Sequence, residues 1–507
     1  MNKEYLKSVL LVGLILLTFV MTKNLLDSKT PDSLYATASE VSINKSSPNI
    51  ERIIYPQDFV IGFGGGSYTG VYSEDTREGI WNITSELLPA YLSQLDLVVI
   101  DEEEFRAIEK TRSVQMRMPF PISLNTLGEV YGVDQEFHEI LNDPIEEIII
   151  SSSQQNRLYL ANLSERQYFY LKGPVDDERI IKIINNKNKD SFTEYRRVDN
   201  LINFKALKED EVQTFHNEEI IPITSVNAIP FVKVTKEIDA LADRQNSEVK
   251  TFLIKAFGNS TDFIKRLEEI DGSQTYIYGY GDKALRLGID GKITYQEKLE
   301  TTKDTKAVTF REGLEIALEF ADGYGNTPKS LYLSDYKEST DDTYEVKTYY
   351  FDYRVRELNV YTKSMQDGHA ISVEITNDVV TKFTKNVRRY VKSIDASEIW
   401  SAGPMYVDAL INENFDIISR NFNEDNDMRF ADRDAQWQMS TYVLSIMQSL
   451  NNVELYYYLD SALDDERLIP AWRLEIANTM YYFHVYTGDI LMTEKIVKTQ
   501  PMEISKR

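Results

Sequence analysis

The polar run NEDNDMRFADRD, residues 423–434, carries the side chains best suited to bind a cation. Four oxygen-bearing side chains fall at positions 1, 3, 5 and 12 of a calcium-loop register: Asn423, Asp425, Asp427 and Asp434. Met428 stands where that loop needs glycine for its sharp turn, and Asp434 replaces the longer bidentate glutamate. The run therefore predicts a solvated loop, with a weak calcium site as the alternative.

Histidine, cysteine and nucleophile motifs offer little further chemistry. The four histidines lie far apart in the sequence: His138, His216, His369 and His484. A zinc site would therefore have to be assembled from distant segments. It would also lack thiolate ligands, because the chain has no cysteine. His484 alternates with apolar residues and is predicted to lie on a strand surface opposite the core. No G-x-S-x-G motif and no complete S-x-x-K set occurs, so the sequence predicts neither a catalytic residue nor a cofactor site.

Two further runs have simple structural explanations. The acidic run DEEE at 101–104 could supply carboxylates for acid–base catalysis, but 81 acidic residues in the chain favour a solvated strand end. The glycine run GFGGGSYTG at 62–70 resembles a phosphate loop only superficially. Ser67 takes the third glycine position, and a strand pattern rather than a helix follows it. We predict a hairpin turn at Gly64–Gly66.

The elements around these residues predict an α+β fold. Residues 51–300 mix alternating strand patterns with helical ones, and form one domain or two halves divided near residue 205. The clearest patterns are a strand pair on either side of Gly64–Gly66, helices near 75–88 and 176–186, strands at 95–101 and within 146–163, and a hairpin that turns at Asp290-Gly291.

The second half repeats one arrangement, a helix followed by an antiparallel meander. Thr309 and Glu312 form a capping-box pattern ahead of the first helix. One face of that helix is apolar: Leu314, Ala317, Leu318 and Ala321. The second helix has a similar face: Val407, Leu410, Ile411, Phe415 and Ile418. Strands are predicted at 330–336, 344–361 and 370–376, and again at 440–448, 453–459, 468–478 and 480–487. The repeat predicts two related domains, 306–397 and 398–507.

The opening stretch YLKSVLLVGLILLTFVMTKNLL, residues 5–26, is the most apolar part of the chain. Its uncharged centre, Ser8–Thr22, covers only about 22 Å as a helix. Lys7 and Lys23 can extend their charged groups to the headgroups, and the full 22 residues then reach about 33 Å, enough for a bilayer core of roughly 30 Å. A signal-cleavage pattern occurs only at Ala36–Ala38, beyond several charged residues. The stretch is therefore predicted to be a retained transmembrane anchor.

Charge and composition agree with an exterior location. No second hydrophobic segment follows the anchor, so we expect a short cytoplasmic tail, a polar spacer at 27–50 and an extracytoplasmic bulk in a single-pass membrane protein. The 56 basic and 81 acidic residues give a formal charge of −25, which argues against nucleic acid or an anionic membrane surface as a partner. The absence of cysteine fits an exposed location without disulfides.

The order of these features resembles the YycH family of Gram-positive bacteria over essentially the whole chain. The resemblance rests on the N-terminal segment MNKEYLKSVLLVGLILLTFVMTKNLL, on IERIIYPQDFVI after it, and on the helix around Trp81. The final segment PAWRLEIANTMYYFHVYTGDIL, residues 470–491, is similar to the end of a PepSY-type module, a pattern shared by YycH and its relative YycI.

The resemblance implies a non-enzymatic regulator at the cell membrane. YycH proteins, also called WalH, are accessory proteins of an essential sensor histidine kinase of a two-component system, YycG or WalK, which controls cell-wall homeostasis. They act with YycI, through transmembrane and extracytoplasmic contacts. The family brings no catalytic residue and no cofactor to this chain.

Contacts within the membrane favour small and hydroxyl-bearing residues, because these allow close approach and hydrogen bonds between helices. Gly13, Thr18 and Thr22 are therefore the predicted partner-binding residues of the anchor. The alternative function is an exported PepSY-type module that binds or inhibits a wall hydrolase or peptidase through its sheet edges. A third possibility, an unrecognised wall hydrolase, would need convergent carboxylates that the sequence does not locate.

Overall fold

The computed structural model describes residues 50–94, 96–133, 143–154, 156–173, 177–189, 192–200, 217, 219–224, 226–238, 247–258, 263–299, 306–340, 344–363, 365, 368–396, 403–425, 443–459 and 466–496. The predicted anchor at 5–26, its contact residues Gly13, Thr18 and Thr22, and the spacer up to residue 49 lie outside these ranges. Within the ranges, no helix is both long and apolar enough to cross a membrane.

The helices, in chain order, are α1 (Ile50–Ile53), α2 (Glu74–Gln94), α3 (Glu102–Glu109), α4 (Leu124–Val130), α5 (Asp177–Lys189), α6 (Ser247–Phe257), α7 (Phe310–Asp322), α8 (Val407–Glu413) and α9 (Phe415–Asp425). The strands β1–β14 are Asp58–Gly64, Ser67–Gly70, Leu97–Ile100, Arg112–Ser123, Pro144–Ser151, Arg157–Asn162, Gln167–Lys172, Tyr195–Arg197, Ile220–Pro222, Phe231–Lys236, Ile264–Glu268, Gln274–Tyr278, Lys283–Leu287 and Ile293–Glu297. The strands β15–β25 are Tyr332–Thr340, Glu345–Asp352, Arg354–Val355, Leu358–Thr362, Ile371–Thr376, Val379–Lys385, Arg388–Ile394, Leu450–Leu459, Arg467–Ile476, Thr479–His484 and Ile490–Lys495.

These strands form three sheets. The first has the order β3-β7-β6-β5-β4-β1-β2-β8-β9, and the third has the order β11-β12-β13-β14-β20-β19-β16-β15. The second runs β17-β18-β22-β23-β10-β21, with β24 and β25 continuing beside β23. β18 and β22 pair in parallel, whereas the other pairs of described strands are antiparallel. The α+β class predicted from the sequence is confirmed.

A single large hydrophobic cluster runs through the molecule and positions the first sheet. Alternate residues of β1 and β4, such as Ile61 and Met116, lie in this core at 0% exposure. α5 contacts the same two strands and also packs on α2. The other face of the sheet is therefore turned away from these helices, and it carries the candidate site.

Several local predictions are confirmed. The β1–β2 hairpin turns at Gly64–Gly66, where all three glycines have positive φ. The β13–β14 hairpin turns at Asp290-Gly291, and Gly291 has a φ of 81°. Thr309 and Glu312 close a complete capping box on α7. Local hydrogen bonding and backbone sterics decide these features, so the sequence is enough to find them.

Two element predictions are wrong. The strand predicted at 440–448 is helical over 443–448, because a short apolar run suits either structure and its burial decides between them. The strand predicted at 344–361 is broken into β16, β17 and β18. Arg356 and Glu357 turn the chain there with φ of 44° and 75°, in a turn that usually carries asparagine and glycine.

The domain boundaries stay predictions. Residues 48–507 cluster as one compact unit. Strands from both sides of residue 398 share the second sheet, since β10, β17, β18 and β21 precede that residue while β22–β25 follow it. The helix predicted after Gly403 divides at Asn414 into α8 and α9, although its predicted apolar face is buried or packed on the core.

Candidate functional site

Three charged residues form a row across neighbouring strands of the first sheet. Asp58 on β1 lies directly opposite Arg117 on β4, and Arg117 lies directly opposite Glu147 on β5. Met116, the next residue to Arg117, points into the hydrophobic core. Because side chains alternate along a strand, the row lies on the face turned away from that core.

Helix α3 covers part of this face. Asp101 caps the helix, its side chain accepting a hydrogen bond of 2.8 Å from the backbone N–H of Glu104. Phe105 and Ile108 pack on tyrosines of β6 and β7. The run DEEE is thus the start of a helix, and its prediction as a strand end is wrong. Acidic residues in a first helical turn favour this outcome, because they interact well with the helix dipole.

A cavity of about 330 Å³ lies over the row, between α3 and the residues around Asn217 and Asn451. Proteins hold small ligands in pockets of about 300–1,000 Å³, so this cavity suits a small molecule. Six acidic side chains and five arginines line it, which leaves its walls close to electrical balance. A cavity walled by so many charges needs water or a polar ligand to solvate them.

Asp58 and Glu454 share one proton at one end of the row. Burial raises the pKa of Asp58 well above its usual value, and the nearby charge of Glu454 raises it further. Burial also opposes ionisation of Glu454, but Arg473 and the hydrogen bonds from Asp58 and Gln57 outweigh this effect and lower its pKa. The shared hydrogen bond therefore favours the proton on Asp58 rather than on Glu454, and Arg473 lies 3.2 Å from the Glu454 carboxylate.

Arg117 stands at the centre of the row with part of its guanidinium unoccupied. Its side chain is 35% exposed, it lines the cavity, and it donates one hydrogen bond of 3.2 Å to Asn452. Glu219 lies 3.9 Å away, too far for a hydrogen bond. Burial works against the charge of Arg117, but surrounding carboxyls led by Glu219 and Glu147 outweigh it and raise its pKa.

Glu147 is the most unusual group of the site. It is 6% exposed and lines the cavity, and no hydrogen bond or ion pair reaches its carboxyl from any described residue. Burial, followed by the negative charge of Glu109, raises the pKa of Glu147 to about 8, although Arg117 partly opposes this shift. At neutral pH the carboxyl is largely protonated and open to an incoming donor.

Glu109, the last residue of α3, is fully engaged. Its carboxylate lies 2.8 Å from Arg197 and 3.0 Å from Arg106. The Arg197 pair is buried, with side chains 4% and 6% exposed. This ion pair anchors α3 to β8 of the first sheet, and it leaves Glu147 and Arg117 as the groups of the cavity wall that a ligand can reach.

The predicted calcium run lies mostly outside the described residues. Asn423 and Asp425 belong to the last turn of α9, whereas Asp427 and Asp434 are not among the described residues. The Asn423 side-chain oxygen is buried and has no hydrogen-bond partner among the described residues. Across the described ranges, no three acidic or histidine side chains converge on a point that could hold a metal ion.

The described histidines make local contacts. Nδ1 of His369 lies 2.8 Å from Asp352 and 2.9 Å from Ser334. Nδ1 of His484 accepts hydrogen bonds from the backbone N–H groups of Tyr486 and Thr487, and burial lowers the pKa of this histidine. Each imidazole ring makes its hydrogen bonds with nearby strand ends and turns, and the two rings do not meet in a common site.

Sequence reasoning missed the charged row. The available signal was a charged residue that alternates with core residues inside a buried strand, as in SVQMRM around Arg117 and PIEEIIIS around Glu147. Alternation alone cannot show that these positions meet Asp58 across the strands, because pairing and register join segments far apart in the sequence.

Comparisons place this architecture among solved structures. No protein-family model and no curated protein matches the sequence. The crystal structure of YycH from Bacillus subtilis aligns with a TM-score of 0.51 at 11% identity, covering 88% of this chain and 97% of that one. This chain has the fold of YycH.

Two weaker matches carry no argument. An uncharacterized protein from Eubacterium rectale aligns with a TM-score of 0.29 at 13% identity, covering 52% of this chain and 82% of that one. The C-terminal domain of YpeB from Bacillus megaterium aligns with a TM-score of 0.21 at 12% identity, covering 52% of this chain and all of that domain.

Proposed function

We propose that this chain is a non-enzymatic, membrane-anchored regulator of a sensor histidine kinase of the YycG/WalK type, acting together with a YycI-like protein. The observation that carries the proposal is the YycH fold over 88% of the chain. The YycH-like order of segments in the sequence supports it independently, because that order includes the apolar start as well as the folded region.

In this proposal residues 5–26 remain in the cytoplasmic membrane and hold the folded part outside the cell. Gly13 lets a neighbouring helix approach closely, and Thr18 and Thr22 hydrogen-bond across the contact. Each such hydrogen bond contributes about 0.6 kcal/mol, so several contacts together are needed for stable association. The exterior domains add the remaining contacts.

Regulation follows from differential affinity. A bound regulator shifts the kinase between two conformations only by the difference in its affinity for them. A preference of about 1.4 kcal/mol for one conformation changes the ratio tenfold, within reach of a few intramembrane contacts and one exterior contact.

The test is disulfide crosslinking in native membranes, because the chain has no cysteine of its own. Single cysteines from Val9 to Thr22 are paired with single cysteines in the transmembrane helices of the kinase. We expect crosslinks to recur every three to four residues, on the face that carries Thr18 and Thr22. A membrane-bound protein that forms none of these crosslinks would disprove the proposed intramembrane contact.

One observation favours the alternative function of an exported binding module. β11 ends the third sheet and pairs with β12 along one edge only, among the described strands. Leu267 on this strand is 52% exposed, and Phe263 and Ile270 beside it are 70% and fully exposed. A free strand edge flanked by apolar side chains is suited to pair with an extended segment of another protein.

The two functions differ in what they need from the N-terminus. A fragment that begins at residue 28 keeps every described strand and lacks the anchor. If this soluble fragment alone inhibits or binds a wall hydrolase as well as the full chain does, the binding module is the better account. If the fragment loses all regulatory effect on the kinase, the anchored regulator is the better account.

A further inference from the structure

We propose that the cavity above Asp58, Arg117 and Glu147 binds a small zwitterion, a molecule the size of an amino acid that carries one ammonium group and one carboxylate. Glu147 takes the ammonium group and Arg117 takes the carboxylate. The inference rests on the cavity alone, so it stands apart from the proposed role in kinase regulation.

The ammonium end follows from the unpartnered carboxyl of Glu147. A buried carboxyl normally has hydrogen-bond partners, because burial without them is costly. Glu147 is 6% exposed, and its carboxyl has no partner in the described part of the chain. A ligand N–H group can donate a hydrogen bond to this carboxyl. If the group is an ammonium, its positive charge also favours the ionised form of Glu147, which burial disfavours.

The carboxylate end follows from the open guanidinium of Arg117. Arginine has five N–H donors, and its planar fork matches a carboxylate with two parallel hydrogen bonds. Among the described residues, the Arg117 side chain donates a hydrogen bond only to Asn452, and the carboxylate of Glu219 lies 3.9 Å from it. Asp58 competes only weakly for them, because burial raises its pKa and its carboxyl is hydrogen-bonded to Glu454.

The spacing of the two groups requires a ligand with both signs of charge. Directly opposed residues of antiparallel strands have Cβ atoms about 4.5–5.5 Å apart. Arg117 and Glu147 are opposed in this way, both line the cavity, and yet they form no ion pair with each other. An α-amino acid carries its ammonium group and its carboxylate on one carbon atom, so one small molecule can present both to these neighbouring side chains.

Size and net charge agree with this ligand. A cavity of about 330 Å³ lies within the range of about 300–1,000 Å³ of small-ligand pockets, which is ample for a small amino acid. A zwitterion adds no net charge to walls that are already near balance. A simple amine or a simple acid would leave one of the two open groups without a ligand partner.

The experiment is calorimetric titration of the purified full chain in detergent micelles. The probes are glycine, L-alanine, D-alanine and L-glutamine, with ethylamine and acetate as single-charge comparisons. We expect at least one amino acid to bind at a single saturable site, and both single-charge probes to bind about tenfold more weakly or not at all.

Two variants and a matched control connect binding to the site. Glu147→Gln keeps the shape but removes the charge, and should weaken amino-acid binding about tenfold or more. Arg117→Lys keeps the charge but loses the planar fork, and should also weaken it. Glu146→Gln is the matched control, because the carboxylate of Glu146 accepts a hydrogen bond from the hydroxyl of Ser164. This variant should bind amino acids as tightly as the wild type does.

Three results would overturn the inference. The first is no binding of any of the four amino acids. The second is binding of ethylamine or acetate as tight as that of the best amino acid. The third is unchanged binding in both Glu147→Gln and Arg117→Lys, with circular dichroism showing both variants folded.

Discussion

Glu147 lowers the stability of the folded protein, because none of the described residues fully compensates for the burial of its carboxyl. Burial raises its pKa to about 8 from a usual value of 4.5, so ionisation is much harder in the folded chain than in the unfolded one. Proteins tend to keep such groups where a ligand or a reaction needs them, and replacing them often raises stability. Its position beside the open guanidinium of Arg117 fits this pattern.

The cost of Glu147 predicts a pH-dependent gain in stability from Glu147→Gln. Because the folded pKa is the higher one, the penalty is absent below pH 4.5, grows as the pH rises and is complete above pH 8. Each pKa unit is worth about 1.4 kcal/mol, and water in the cavity reduces the total. We expect no change in the free energy of unfolding at pH 4.5 and a gain of about 2 kcal/mol at pH 8.

Urea unfolding of both proteins at the two pH values measures this difference. Glu146→Gln serves as the control, because Glu146 lies next to Glu147 in the sequence but outside the cavity wall. An equal effect of Glu147→Gln at pH 4.5 and pH 8 would contradict the raised pKa.

At the scale of elements, one buried ion pair joins the second sheet to the third. Lys385 ends β20 and is 0% exposed, and its Nζ atom lies 3.1 Å from Glu237, which directly follows β10. The same Nζ donates to the backbone oxygens of Tyr324 and Asn326. Burial raises the pKa of Glu237 and lowers that of Lys385, so each charge depends on the other.

Breaking this pair from one side is predicted to be costly. Lys385→Met leaves Glu237 buried without its counter-ion, and we expect a loss of about 3–5 kcal/mol in the free energy of unfolding. The double variant Lys385→Met/Glu237→Gln removes both charges and should recover a large part of that loss. Denaturant unfolding of the wild type, both single variants and the double variant measures the coupling. Additive losses would show that the two side chains act independently.

At the scale of the molecule, the second sheet joins distant parts of the chain. β10 precedes residue 240, β18 and β21 lie between residues 358 and 394, and β22 begins at Leu450. β18 depends on β22 for its parallel partner, and β10 pairs with β23. Order in this sheet therefore requires the C-terminal strands, even though much of it is built from earlier residues.

This dependence predicts the behaviour of a chain that ends at residue 397. Such a chain keeps β10 and β18 but lacks β22 and β23, so the amide groups that pair with those strands lose their partners. Hydrogen exchange measured by mass spectrometry should show β18 protected in the full chain and unprotected in the shortened one. The third sheet retains all its strands and provides the internal control. Equal protection of β18 in both chains would instead support an independent domain at 306–397.

The sequence by itself determined the local features of this protein. The capping box of Thr309 and Glu312, the glycine turn at Gly64–Gly66 and the apolar face of α7 each depend on residues within a few positions of one another. Interactions at that range repeat with the period of the helix or the strand, so the pattern is visible in the letters alone. The α+β class follows from the same patterns.

The tertiary structure alone decided the candidate site. Asp58, Arg117, Glu147 and Glu454 come from four strands and span almost 400 residues of sequence. Whether a carboxyl is buried, protonated, paired or left open depends on strand register and on what covers the sheet, and neither is a local property. The prediction of one strand over 344–361 was wrong for the same reason. The surrounding sheet holds Arg356 and Glu357 in a turn whose backbone conformation these residues do not favour.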